Sequence, residues 1–514
     1  MKVTDRQKIL VFMVIIIMIT AFSSTSTFAQ AQYQIIDLGT LSGFPESEAI
    51  AINDNGQVIG SSFNYSSNFP DRRAFSWTQA GGMVDIGTLG GSYIQPTALN
   101  NNGQVVGFST TTSNPNIGHA FLWTQAGGMI DLGTLGGNFT MSGANAINSS
   151  GQVAGYCITS DYSAYRAFFW TQASGMIDLG TLGGNSWSVA RAMNDNGQVV
   201  GESNNANGKY HAFSWTQEEG MIDLGTLGGT FSCATAVNNK GQVVGYSSIA
   251  GDRIIHAFSW TREGGMIDLG TLGNYGNIYA VAVNDNGQAV GYTDWYDAFS
   301  WTQMSGMVDL GHLGIEGGSV ATAVNASGQV VGYAEINDPN QGYCQHGFSW
   351  TQEGGMIDLG SLIFGYPSRA LAINKQGLAA GVGFVEGYFQ HAVIWQATDT
   401  TAPSLAPVAD RTILWPPNRK MAPVTIKANA SDKSGMPVTL NATVSCNESQ
   451  NGAVYWTTPF IDQATGTIYL QLQADRLGKG SGRIYTITIA ATDQTGNVGT
   501  ASVQIMVPHD QGKN

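Results

Sequence analysis

Histidine and aspartate recur at fixed positions along this chain, and both residue types commonly carry catalysis or metal binding. Five of the seven histidines fill one position of a repeated phrase: His119, His211, His256, His346 and His391. Other copies of the phrase carry Arg73, Arg166 and Asp297 there. A ring of imidazoles would suit a metal ion, but arginine is not a ligand, and strands in separate sheets would hold these side chains far apart. We therefore predict a hydrogen-bonded structural role and no metal site.

Carboxylates are the second group that could do chemistry. The aspartate of a repeated Asp-Leu-Gly phrase, from Asp85 to Asp358, occurs in copy after copy, and it suits a side chain that bonds backbone amides in turns. In the variable segments, Glu46, Glu48, Asp252 and Glu316 are available. Two such carboxylates could hydrolyse glycosides, but no motif fixes their geometry.

Nucleophile and metalloprotease motifs such as Gly-x-Ser-x-Gly and His-Glu-x-x-His do not occur in the sequence. We therefore predict no catalytic residues and no cofactor, which favours a binding protein over an enzyme. A carbohydrate-active hydrolase or lyase is the alternative. The four cysteines have no paired spacing, so neither a disulfide framework nor a Cys-x-x-Cys metal site is expected.

These residues belong to a repeat of 41 to 49 residues, which is marked by tryptophan. The series is Trp77, Trp123, Trp170, Trp215, Trp260, Trp301, Trp350 and Trp395. Each copy holds four short phrases of β-branched and aromatic residues, separated by Asn-Gly or Gly-containing turns. Four strands in about 46 residues is the size of a propeller blade. We predict an all-β propeller with these tryptophans in the core between blades.

The count of phrases predicts how the ring closes. Eight Asn-turn phrases, eight Trp phrases and eight Asp-Leu-Gly phrases occur, counting Asp85-Ile86-Gly87 among the last, but the first Asp-Leu-Gly, at Asp37, precedes the first Asn-turn. The last copy, from Arg369 to Trp395, lacks its fourth strand, which residues 33–38 can supply. Eight blades follow from this count; seven blades with a displaced repeat are the alternative.

The phrases HAFxWT, DLGTLGG and NDNGQVVG, recurring in fixed order over roughly residues 33–397, resemble the HAF-family extracellular repeats of exported microbial proteins. This resemblance implies an exported repeat protein and brings no catalytic motif.

After Trp395 the repeat stops and proline becomes more frequent. Alternating strands such as 483–490 and 501–507 predict a β-sandwich. The stretches LWPPNRKMAPV and ATDQTGNVGTASVQIMV resemble immunoglobulin-like modules of bacterial secreted proteins. We therefore divide the chain into residues 1–31, 32–398 and 399–514, as signal peptide, propeller and immunoglobulin-like module.

The N-terminal segment has the pattern of a secretory signal. Lys2, Arg6 and Lys8 precede a short apolar run, and Ala29-Gln30-Ala31 suits cleavage. An uncleaved membrane anchor is the alternative, but the run is shorter than the roughly 20 residues that span a bilayer, so cleavage is favoured and no stable membrane span is expected after it. Within 32–398, 27 acids and 10 bases give a net charge of −17. Nucleic acid is therefore not an expected partner.

Function is expected in the loops that differ between copies, because binding residues are commonly carried by loops on a rigid scaffold. An aromatic residue follows most Asp-Leu-Gly phrases: Phe44, Tyr93, Phe139, Trp187, Phe231, Tyr275 and Phe364. Aromatic faces can stack on sugars, which predicts an extracellular or cell-surface protein that binds a glycan or surface polymer. The rings could instead fill gaps between blades, and a structural surface-layer or matrix component is a further alternative.

Overall fold

A computed structural model describes residues 33–64, 71–111, 117–273, 276–314, 317–338, 342–398, 401–432, 438–448, 455–463, 465–477, 482–493 and 497–509. The predicted signal segment, Tyr275 and Glu316 lie outside these residues.

The strands of the repeat region fall into sets of four consecutive antiparallel strands, named here sheets 1 to 8 in chain order. Sheets 1 to 4 comprise Glu46–Ile52, Val58–Asn64, Asp71–Thr78 and Gly82–Asp85; Ile94–Leu99, Val105–Thr110, Gly118–Thr124 and Gly128–Asp131; Phe139–Ile147, Val153–Thr159, Tyr165–Thr171 and Gly175–Asp178; Gly183–Met193, Val199–Asn205, Tyr210–Thr216 and Gly220–Asp223. Sheets 3 and 4 are joined by one parallel residue pair, Tyr165 with Trp187.

Sheets 5 to 8 continue the pattern. They comprise Gly228–Val237, Val243–Ile249, Ile255–Thr261 and Gly265–Asp268; Ile278–Val283, Ala289–Thr293, Ala298–Thr302 and Gly306–Asp309; Ser319–Val324, Val330–Asp338, Gly342–Thr351 and Gly355–Asp358; Ser368–Ile373, Ala379–Phe384, Gln390–Ala397 and Tyr33–Asp37. A 3₁₀ turn spans Glu386–Tyr388. The fourth strand of sheet 8 is thus the first strand of the chain, and it pairs as predicted with Gln390–Ala397.

Each of the eight sheets has a β-bulge at the same place in its first strand. The register of the first two strands shifts by one residue, for example between Pro96 and Ala98. The second glycine of the Gly-Gln-Val-Val-Gly phrase faces this bulge. In sheet 2 this is Gly107, where an added Cβ would lie 2.1 Å from the carbonyl oxygen of Gln95. Glycine therefore recurs here because the bulged backbone leaves no room for a side chain.

A circle of asparagines joins the first turns of neighbouring sheets. Asn53 Nδ2 donates to the carbonyl oxygen of Asn100 at 3.0 Å, and the same bond passes from each sheet to the next. The other asparagines that donate a side-chain hydrogen bond in this circle are Asn100, Asn148, Asn194, Asn238, Asn284, Asn325 and Asn374. Asn374 donates to the carbonyl oxygen of Asn53 at 3.1 Å, which closes the circle. The first strands also contact each other in the same order, including Glu46–Ile52 with Ser368–Ile373. This radial, closed arrangement is that of a β-propeller.

The core lies between adjacent sheets. Val105 packs with Ile59 and Ala74 of sheet 1, whereas the next residue, Val106, packs with Ala144 of sheet 3. Successive residues of a strand point to opposite faces, and both faces of each sheet are covered by a neighbour. The paired valines of the repeat therefore bury one side chain in each of two junctions.

The residues after 398 form separate sheets. Val408–Ala409, Met421–Lys427, Thr467–Gln473 and Phe460–Asp462 pair in that order, and a second sheet contains Thr439–Cys446, Gly482–Thr492 and Val498–Pro508. Two short strands, Ser404–Leu405 and Ala430–Ser431, pair with each other. Buried side chains from the two larger sheets share one hydrophobic cluster, so these sheets pack face to face.

The prediction of an all-β fold is confirmed, since every regular element apart from the 3₁₀ turn is a strand in the part of the chain that the structure describes. Over those residues, no helix is long and apolar enough to cross a membrane.

Candidate functional site

The repeat gives the ring two different faces. The first turn of each sheet and the turn between its third and fourth strands lie on one side, which we call the turn face. The loops between second and third strands, and those leading to the next sheet, lie on the other side, which we call the loop face. The sequence varies most on the loop face.

The tryptophan series lies away from the loop face, between sheets. Trp123, Trp215, Trp301, Trp350 and Trp395 are buried, and Trp77, Trp170 and Trp260 are partly buried. Each belongs to a cluster that draws residues from two adjacent sheets. Trp123, for example, joins Ile59 of sheet 1 with Val105 of sheet 2.

The repeated histidines bond to the repeated aspartates. His119 Nδ1 lies 2.9 Å from Asp131, and four further pairs at 2.7 to 3.0 Å are His211 with Asp223, His256 with Asp268, His346 with Asp358, and His391 with Asp37. Each pair ties the start of a third strand to the end of the fourth strand beside it. The aspartate also accepts from a backbone amide, as Asp131 Oδ1 does from Gly133 at 2.7 Å. Among the described residues, no three metal-ligating side chains are grouped to hold an ion.

Of the carboxylates considered for catalysis, Glu46 is partly buried in the first strand of sheet 1, and Glu48 and Asp252 are engaged in structural contacts. Glu48 forms an ion pair with Arg72. Asp252 Oδ1 accepts from Ser248 Oγ at 2.7 Å and from the Thr230 amide at 2.6 Å. These hydrogen bonds hold the pKa of Asp252 below its usual range. Such a lowered pKa suits a fixed anion rather than a general acid.

The predicted aromatic series divides among different surroundings. Phe139 packs against the cluster between sheets 2 and 3, and Phe44 is partly buried. Tyr93 donates its hydroxyl to Gln95 Oε1 at 2.9 Å. Phe364 is 77% exposed.

Two members of the series belong to rows of aromatic rings. In row A, Tyr156, Tyr165, Trp187 and Tyr210 follow each other with centroids 6.3, 4.1 and 6.0 Å apart. In row B, Phe231, Tyr246, Tyr279 and Tyr292 are separated by 5.9, 5.2 and 5.6 Å. Trp187 and Phe231 thus continue onto tyrosines of neighbouring strands, and each row crosses a junction between two sheets.

A second set of exposed aromatics was missed by the sequence reading. Tyr162, Tyr296 and Tyr388 lie in loops between second and third strands, with φ of 59 to 61°. These rings are exposed, and Trp295 beside Tyr296 is 70% exposed. A left-handed backbone costs a residue with a Cβ about 1–3 kcal/mol, and here it belongs to the hairpin turn, in which the Tyr162 and Tyr296 amides donate to the carbonyl oxygens of Thr159 and Thr293.

A pocket of about 360 Å³ opens on the loop face where sheets 7 and 8 meet. Glu335, Gln345 and Arg369 line it with polar groups, and Phe384 and Tyr388 with rings. Arg369 Nε donates to Gln345 Oε1 at 2.7 Å, and its guanidinium lies 5.2 Å from the centroid of the Tyr333 ring. These contacts fix a charged side chain at the pocket wall.

A second opening, of about 320 Å³, lies on the turn face inside the asparagine circle. The asparagine amides there are engaged in the circle itself: Asn194 Oδ1 accepts from the amides of Asn196 and Gln198, and its Nδ2 donates to Gln198 and Asn238. This opening is therefore lined by groups that already serve the scaffold.

Comparison with known proteins gave no matching family model and no matching curated protein. Solved structures with weak likeness include TolB of Acinetobacter baumannii (TM-score 0.31, 10% identity, 51% of this chain and 63% of that one). They also include dipeptidyl peptidase 4 of Porphyromonas gingivalis (TM-score 0.40, 11% identity, 70% and 58%). A third is a fungal lectin from Aleuria aurantia, described as a six-bladed β-propeller with a novel fucose recognition mode (TM-score 0.25, 12% identity, 52% and 96%). This chain spans less than two thirds of TolB and of the peptidase. With TM-scores this low, the architecture rests on the strand pairing and hydrogen bonds described above.

Proposed function

We propose that this chain is an exported binding protein, an eight-bladed propeller followed by an immunoglobulin-like module, whose loop face binds a glycan or cell-surface polymer. The observation that carries the proposal is the concentration of exposed aromatic rings on that one face. Tyr162, Tyr210, Trp295, Tyr296, Phe364, Tyr388 and Phe389 are all exposed there. Contact between an apolar ring and water is unfavourable, so a group of exposed rings marks a surface that binds a partner. A flat aromatic ring is a surface on which a sugar stacks.

The blade count is supported by the closed asparagine circle and by the pairing of residues 33–37 with the last sheet. The immunoglobulin-like assignment is supported by two sheets that pack on one shared core.

Export is supported by the sequence pattern of residues 1–31, and sequencing the N-terminus of the protein recovered from the culture medium tests it. A mature chain that begins near Gln32 is expected; retention of residues 1–31 in a cytoplasmic fraction would contradict export.

A glycan array probed with the purified protein tests the binding. Trp295→Ala and Phe364→Ala remove two of the most exposed rings, which have little to lose in stability. Met304→Ala is the matched control, because Met304 is 99% exposed but lies on the turn face. We expect the wild-type protein and the control to bind the same glycans, and the ring variants to bind them at least several-fold more weakly. Equal binding by all four proteins, or binding by none, would contradict the proposal.

A further inference from the structure

Arg369 lies where sheets 7 and 8 meet, at a position of the first strand whose residue varies from copy to copy. The copies place Glu48, Gln95, Gly143, Val189, Cys233, Tyr279 and Val320 at its position. A scaffold role shared by all blades does not explain an arginine in one copy alone. The side chain is nevertheless fixed, through Gln345 and the face of Tyr333.

The guanidinium of Arg369 keeps unused bonding capacity. Its Nε is bonded to Gln345, but no carboxylate lies within 4 Å of its nitrogens among the residues that the structure describes. By contrast, Arg72 and Arg191 on the same ring form ion pairs with Glu48 and Glu202. The Nη groups of Arg369 are therefore donors that a ligand in the pocket can use.

The other pocket walls complete a set of groups suited to a sugar. Glu335 supplies a carboxylate acceptor from sheet 7, and Phe384 and Tyr388 supply ring surfaces from sheet 8. The Tyr388 ring is itself supported by Tyr366, with centroids 4.7 Å apart. The volume of about 360 Å³ is near the lower end of small-molecule sites, which run from about 300 to 1,000 Å³.

The charges in and around the pocket distinguish a neutral sugar from an acidic one. One cation and one anion line the wall, so a ligand carboxylate would be attracted by Arg369 but repelled by Glu335. The whole propeller region adds a net charge of −17, which repels polyanions. Hydroxyl groups, in contrast, can accept from a guanidinium and donate to a carboxylate at the same time.

We propose that the pocket between sheets 7 and 8 is a specificity site that binds one neutral pyranose residue. The sugar places a ring face against Tyr388 and its neighbouring hydroxyls on Arg369 and Glu335. This assignment rests on the proposed glycan-binding function and adds to it the ligand class and the residues that select it.

Neutral sugars and the C6-carboxylate counterparts of two of them test the proposal. The full-length protein is titrated, by saturation-transfer difference NMR, with methyl glycosides of glucose, galactose, mannose, fucose and N-acetylglucosamine, and with methyl glucuronide and methyl galacturonide. We expect at least one neutral glycoside to bind, its C6-carboxylate counterpart to bind at least tenfold more weakly where one exists, and the neutral affinity to stay constant between low and high salt. A uronide that binds more tightly and loses affinity with salt would overturn the neutral assignment.

Variants locate the binding. Arg369→Ala and Tyr388→Ala change exposed side chains, and each is expected to lower the affinity at least tenfold, whereas Met304→Ala leaves it unchanged. Unfolding curves of all three check that the fold is intact. If Arg369→Ala and Tyr388→Ala bind like the wild type while Trp295→Ala loses binding, this site is wrong and the proposed function stands. If the wild type binds no glycan, both fail.

Discussion

The asparagine circle provides a direct test of whether the propeller is closed, through the variants Asn194→Ala and Asn374→Ala. Asn194 lies inside the array, between sheets 4 and 5, and its amide makes four hydrogen bonds. Asn374 lies at the junction of the two ends of the repeat region and makes three, because Leu378 stands where other copies carry glutamine. Both residues are buried.

The expected cost follows from these bonds. At about 1 kcal/mol for each hydrogen bond removed from a buried site, Asn194→Ala should lower the free energy of unfolding by about 4 kcal/mol and Asn374→Ala by about 3 kcal/mol. Asn196→Ala is the matched control. Asn196 is an exposed residue of the same turn whose side chain donates to the carbonyl oxygen of Asn239, and the loss of this bond should cost less than about 1 kcal/mol.

Urea unfolding followed by tryptophan fluorescence measures the three variants, and the comparison that matters is between Asn374 and the control. In a closed ring, Asn374 bridges sheet 8 to sheet 1, so Asn374→Ala lowers the free energy of unfolding about as much as the loss of an internal asparagine does. In an open array its Nδ2 would face water. A cost for Asn374→Ala no greater than that for Asn196→Ala would refute the closed eight-membered circle.

Three further predictions concern the core, the thiols and the closing strand. Trp215→Ala should cost about 3–5 kcal/mol in thermal or urea unfolding, and a wild-type unfolding curve would contradict its place between sheets 3 and 4. Burial raises the pKa of both Cys157 and Cys233 to about 12, so iodoacetamide at pH 8 should leave these two thiols unmodified until the protein unfolds, as peptide mass spectrometry would show; labelling in the native state would contradict their burial. Burial raises the pKa of Asp37, but hydrogen bonds from His391 and a backbone amide, with the charge of His391, hold it below its ordinary 3.8. Its ionised form therefore stabilises the fold above about pH 4, and this part is lost as the pH falls through the lowered pKa. Asp37→Asn should flatten the loss of Tm between pH 5 and pH 2.5, and an unchanged pH profile would contradict the linkage.

The scaffold could be predicted from sequence because its determinants are local and repeated. A three-residue turn that ends in a left-handed glycine, such as residues 101–103, sets the first hairpin. The paired valines place one side chain on each face of a strand, and the displaced Asp37 phrase marks the closing strand. Each of these signals depends on neighbours a few residues away, or on counting. The contacts they produce, such as Asn53 with Asn100, then follow from stacking one copy on the next.

The loop face could not be predicted to the same depth, because there the surroundings of a residue depend on which side of its strand it occupies and on the loop opposite. Phe139 and Trp187 follow equivalent phrases, yet Phe139 packs against a core cluster, whereas Trp187 joins a partly buried row of rings that crosses two sheets. The left-handed tyrosines gave even less warning, since neither composition nor spacing encodes φ.

The same reasoning explains why the candidate site lies where the repeat is broken. Residues that recur in most copies, such as the five histidine–aspartate pairs, are engaged in bonds that hold strands together. At the junction of sheets 7 and 8, Arg369 occupies a position that varies between the copies, and it lines one pocket with Glu335 and Gln345 of the preceding sheet. Such a grouping brings together side chains from different copies, so it can differ from every other junction while the stacking of the sheets stays the same. A repeat scaffold can in this way change its ligand through a few side chains at one junction, without altering the bonds that close the ring.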